Sequence, residues 1–129
     1  MPVLTQAPTL GDLLKYELNG SYAREIVTLK AGTNYALGAV LGKITVSGKY
    51  RLAPAAIVVG DEGAEKGIAV LLEPVDATAT DKPALVLARG PAIVSKNALV
   101  FDASVDLLAE KLAKYADLSK AGIVPRDTA

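Results

Sequence analysis

Few residues in this chain could do chemistry. The densest group is acidic: Asp61, Glu62 and Glu65 in the stretch GDEGAEKG. Carboxylates this close could hold Ca²⁺, which takes oxygen ligands. Their spacing lacks the alternation of an oxygen-ligand loop, so the stretch reads as a solvated acidic turn. Glu73 and Asp76 could form the carboxylate pair of a glycoside hydrolase. Glu73, however, precedes Pro74 at a strand end, where an acidic residue is ordinarily just exposed. Ser95-Lys96 has the types of a nucleophile and its base, but neighbours on a strand point to opposite faces. The chain has no His and no Cys. That removes the usual triads, the thiol nucleophile and zinc sites built on imidazole or thiolate. The glycines of GTNYALGAVLG lack the Lys-Ser/Thr of a phosphate loop. The reading is a protein without catalytic residues, cofactor or metal, and not an enzyme. Arg24, Arg51 and Arg89 read as members of surface or interface ion pairs.

The elements around these residues point to a scaffold. In GAVLGKITVSGKY, Val40, Ile44 and Val46 alternate with Lys43, Thr45 and Ser47, the period of a strand with one buried face. Ser47-Gly48 reads as a turn and KYRL as the returning strand. Gly38 and Gly42 suggest a bulge or a close backbone approach. In AREIVTLK, Val27 and Leu29 share one face, with Ile26 an apolar exception on the other. GIAVLLEPV and ALVLARG are nearly unbroken apolar runs, as in strands covered on both faces. AIVSKNALVF supplies one or two more. Six to eight short strands without intervening helices predict a mainly β (α+β) fold, a compact barrel or clip-like body.

The two ends differ from this middle. Residues 1–22 contain Pro2 and Pro8 and break periodicity, yet Val3, Leu4, Leu10, Leu13, Leu14 and Tyr16 are too apolar for a merely solvated tail. They read as an extended arm, with a short turn around Asp12–Tyr16, ahead of one domain over 23–129. At the other end Val105, Leu108, Leu112 and Tyr115 follow helical spacing and predict an amphipathic helix over about 103–120. Asp102 or Ser104 would cap it, Glu110 and Lys114 would pair, and Gly122 and Pro125 would stop it. Its apolar stripe would pack on the body or on a neighbouring subunit, so an aspartate at Leu108 or Leu112 is expected to disrupt folding or assembly.

Charge narrows the partners. Fourteen basic and fourteen acidic residues leave a formal charge of zero, which argues against nucleic acid. The N-terminus has no secretory pattern and no apolar run reaches membrane length. A β-rich module for carbohydrate or a host surface would want stacking aromatics. The chain has no Trp, one Phe and five Tyr. Interaction is what remains: an arm able to add to a partner's sheet, and a β body able to close into symmetric rings.

Five blocks then carry a resemblance. AREIVTLKAG, LGAVLGKITVSGKY, GAEKGIAVLLEPVDAT and ALVLARGPAIVSKNALVF, followed by a terminal helix ending in AGIVPRD, cover about 23–125. In order and spacing they resemble the head decoration proteins of tailed bacteriophages, the family of the lambda head protein D. The resemblance implies a homotrimer of small β-rich subunits on the outside of the virion head, over three-fold and quasi-three-fold positions. It implies binding to the major capsid protein after expansion, assembly in the host cytoplasm, and stabilisation against DNA packaging pressure. It transfers no catalytic residue. The part expected to reach the capsid is the arm, with Pro2, Val3, Leu4, Thr5, Leu10, Leu13 and Leu14. Val105, Leu108, Leu112 and Tyr115 are left for helix packing or an interface.

Overall fold

The computed structural model describes residues 10–17 and 20–127. The chain is mainly β, with a closed five-stranded barrel and a C-terminal helix. The barrel runs in the order β2 (Arg24–Leu29), β5 (Tyr50–Leu52), β4 (Val40–Lys43), β6 (Ala69–Leu71), β8 (Lys82–Leu87) and back to β2. Only the β2–β5 pair is parallel. A short antiparallel pair, β3 (Thr33–Tyr35) with β7 (Val75–Ala77), extends it.

The apolar runs follow from burial on two sides. Leu29, Leu41, Leu71 and Val86 pack together with Tyr35 and Tyr50 in the barrel's own core. Their chain neighbours Val40, Val70 and Leu87 point the other way, into a second core with Leu13, Val94, Leu118 and Ile123. Successive strand residues face opposite sides, so a strand between two cores is apolar at every position. β2 is open on one side, and there Ile26 is 66% exposed.

The second core is roofed by a three-stranded sheet in the order β1 (Leu14–Glu17), β9 (Ala92–Ser95), β10 (Ile123–Arg126). β1 runs antiparallel to β9 and β10 parallel to it. Single turns α1 (Leu10–Leu13) and α2 (Gly20–Ala23) flank β1. This revises the reading of the N-terminus. Leu13 is 1% exposed and lies in the second core, with Leu10 and Leu14 packed against it. These three residues pack as part of the body. Pro2, Val3, Leu4 and Thr5 lie outside the described residues.

The hairpin in GAVLGKITVSGKY exists, but its turn is wider than Ser47-Gly48. β4 ends at Lys43 opposite Tyr50. Ile44 N–H donates to Lys49 O and Gly48 N–H to Ile44 O, with Gly48 at φ +73°. Val46 therefore sits at the tip, 89% exposed, instead of on the buried face. Gly38 and Gly42 do mark close approaches. A Cβ on Gly38 would lie 2.1 Å from Ala98 O, and one on Gly42 1.9 Å from Ala64 O.

The helix α3 spans Leu108–Lys120 and starts later than expected. Asp102 and Ser104 are engaged earlier, in a turn of their own. The Asp102 carboxylate accepts from Ser104 N–H and Oγ, and Val105 N–H donates to Asp102 O. That turn drives Val105 into the interior, 4% exposed, as an anchor ahead of the helix. The face α3 buries is also different. Lys114 and Leu118 are its buried residues, while Leu108 and Leu112 are 70% and 52% exposed. Aspartate at either position is thus compatible with folding, and assembly is left as the property it would disturb. Glu110 does not pair with Lys114; its carboxylate accepts from Asp106 and Leu107 N–H at the helix start. Gly122, at φ +84°, ends the helix. Pro125, expected only as a stop, lies within the edge strand β10, where a missing N–H is tolerated.

Candidate interaction surfaces

The side chains that could do chemistry are occupied in holding loops. Asp61 is 7% exposed. Its carboxylate accepts from Lys30 Nζ at 2.9 and 3.0 Å and from Arg51 Nη1 at 2.7 Å. Arg51 also reaches Asp102 at 3.4 Å and Leu52 O at 2.9 Å. Lys30 and Arg51 hold the Asp61 pKa below the usual carboxylate range. Glu62 and Glu65 turn back onto the Gly60 and Gly63 N–H groups of their own loop. Glu73 accepts from Leu85 N–H and Asp76 from Thr78, so the two acids serve separate turns. Ser95 is buried, and Lys96 Nζ lies 5.1 Å from the Tyr115 ring centroid. Arg24 pairs with Glu17 and Arg89 with Glu25.

The Asp61 cluster holds the long connection between β5 and β6, residues 53–68. Further ties come from α3 and from the turn before it. Lys114 Nζ donates to Glu65 O, Gly67 N–H to Asp117 at 3.2 Å, and Ala55 N–H to Ser104 Oγ at 3.0 Å. Lys114 is 3% exposed, and burial lowers its pKa. It is a structural residue that the sequence reading missed, since a lysine in a helix is ordinarily solvated. Held at both ends, the loop presents Ile57 and Val59, 67% and 94% exposed, at its crest.

Removing the Asp61 charge tests this arrangement. Asp61→Asn is expected to cost about 2–3 kcal/mol at neutral pH, below a fully buried pair because Lys30 stays partly in water. A depressed folded-state pKa gives stability that is present above the unfolded value of about 4 and lost as pH falls through the folded value. The gap between wild type and variant should therefore narrow in acid. Urea midpoints at pH 7 and near pH 2 check this; equal midpoints at pH 7 would refute it.

A second open feature lies beside α3. A groove of about 430 Å³ runs between the helix and the 3-10 turn Lys96–Ala98. Phe101 and Tyr115 meet edge to face at its floor, centroids 5.9 Å apart. Leu108 and Leu112 form one wall, Lys96 and Lys111 reach over the rings, and Asp127 lies at the margin. The structure thus brings three of the four proposed interface residues together here, Leu108, Leu112 and Tyr115. Val105 lies inside the body instead.

A rigid barrel, charges spent on fixing loops and apolar surfaces left open describe a structural protein that works by contact. The family model described as bacteriophage lambda head decoration protein D matches residues 3–123, and the chain belongs to that family. The family is one of structural head decoration proteins, not of enzymes, and it places the chain on the outer surface of the phage capsid, bound to it. No curated protein matches the chain.

Proposed function

We propose that the protein is a trimeric cement protein. In this reading it binds the expanded head at three-fold and quasi-three-fold positions and stabilises the shell against the pressure of packaged DNA. Family membership over residues 3–123 carries the reading. The physical argument is avidity. Three subunits engage together, so each later contact forms within a complex already bound. Modest contacts repeated over the shell then resist a pressure that none could resist alone. Capsid contact is assigned in this reading to the segment before Leu10, with Pro2, Val3, Leu4 and Thr5, which leads into the body at α1. Timing follows from geometry: a site shared between capsid subunits is complete only after expansion, and the protein meets it in the host cytoplasm.

Co-sedimentation with empty heads of the protein's own phage tests this. Saturable binding to expanded heads, and none to unexpanded heads, is the expected result. Binding to neither, or to both equally, would overturn the reading.

A further inference from the structure

The chain carries two exposed apolar features that match each other. One is the crest Ile57–Val59. Glu62 lies beside it, its carboxylate accepting from Gly60 N–H at 3.2 Å. The other is the groove beside α3, floored by Phe101 and Tyr115 and rimmed by Lys96 and Lys111. The crest is exposed and apolar with Glu62 at its edge; the groove is apolar, with Lys96 and Lys111 over its rings and Asp127 as the one acid in its lining. Both are well supported from behind, the crest by the Asp61 ion pairs and the groove by the second core, against which Phe101 and Tyr115 pack.

The crest and the groove are different patches of one subunit. The crest lies on the 53–68 loop, which Lys114 and Asp117 tie to α3, and the groove lies between α3 and the Lys96–Ala98 turn. A contact between two different patches repeats head to tail and closes into a ring when the rotation allows.

The geometry points to an interface in which the Ile57–Val59 crest of one copy seats in the α3 groove of the next, with Glu62 meeting Lys96 and Lys111. This rests on the trimer reading above and names its contact surfaces. Burying Ile57, Val59, Leu108 and Leu112 would supply the apolar core of such an interface, and the charges would set its direction.

The absence of cysteine makes the test clean. The double variant Val59→Cys/Leu112→Cys is treated with a short bismaleimide, which tolerates a few ångströms of offset. It is treated free in solution and bound to saturated expanded heads, with mass measured by light scattering beforehand. Covalent trimers are expected from the double variant, no dimers from either single variant alone, and dimers from the two singles mixed. Lys111→Glu should weaken the trimer severalfold, and Glu62→Lys should restore it. Trimeric mass without cross-links, or homodimers from a single variant, would overturn the interface and leave the trimer standing. No covalent trimer on heads, together with monomeric mass in solution, would remove both.

Discussion

A chain lacking residues 2–9 is expected to melt with the full-length protein and to fail to bind heads. A chain lacking residues 2–14 is expected to lose much of its stability as well. The difference lies in Leu13. At 1% exposure it sits among Val94, Leu99 and Ile123, and Leu10 and Leu14 pack onto the same cluster. Truncating one such leucine to alanine costs about 2–5 kcal/mol. The longer deletion removes Leu13 whole, together with Leu10, and breaks the Leu14–Val94 pairing at the start of β1. That loss is large against a total stability of about 5–15 kcal/mol. Circular dichroism melts and co-sedimentation, run on both truncations, separate the two roles. Undiminished head binding by the shorter deletion would refute the assignment of the first nine residues to the capsid. An unchanged melt for the longer one would refute the core role of Leu13.

Gly42→Ala should be among the most damaging small substitutions. Its φ is ordinary, so the obstacle is space alone. A Cβ there would lie 1.9 Å from Ala64 O, 2.6 Å from Ala64 C and 2.7 Å from Lys66 O. All three are backbone atoms of the connection that the Asp61 ion pairs and Lys114 hold down, so the neighbour cannot simply rotate away. Either the barrel strand β4 shifts or the connection lifts. We expect a loss of about 3 kcal/mol or more, at the upper end for overpacking. Gly60→Ala is the control. Gly60 has φ +93° and nothing within 4 Å of its would-be Cβ. It should cost only the left-handed backbone penalty of roughly 1–2 kcal/mol. Thermal melts of the two variants, with limited proteolysis across residues 53–68, check the order. Equal stability of Gly42→Ala and wild type would show that the loop is not pressed onto the strand.

These contacts explain what could be read in advance. The barrel was legible because β6 and β8 lie between two cores and show it as unbroken apolar runs. Gly38 and Gly42 were legible as close approaches because glycine within a strand has few other uses. β1 and β10 were not. LKYE and IVPR carry no alternation strong enough to mark a strand, and each becomes one only by pairing with the distant β9. The start of α3 was misplaced because Asp102 and Ser104 make the same hydrogen bonds in a turn that they would make in a cap. The apolar stripe of α3 was read as packing on the body or on a neighbouring subunit, and Leu108 and Leu112 are not buried in the body. The burying position is Lys114, whose alkyl stem packs while its ammonium meets the Glu65 carbonyl, and no apolar periodicity announces a lysine. At the candidate interface, Leu108, Leu112 and Tyr115 were legible as one stripe. The crest was not, since the apolar triplet Ile57–Val59 has the composition of a short strand and not of an exposed loop.

The sheet that joins both ends of the chain also sets a schedule. β9 pairs with β1 from the beginning of the sequence and with β10 from its end. Leu14 waits for Val94, and Ala92 waits for Ile123, so neither edge can form while the ribosome is still making the barrel. Such long-range pairings fold slowly. The roof over the second core closes only when synthesis is nearly complete. β1, though made before the barrel, gains its fixed place in the body after it. On the capsid-contact reading proposed above, the segment ahead of β1 is thereby presented only by a finished subunit.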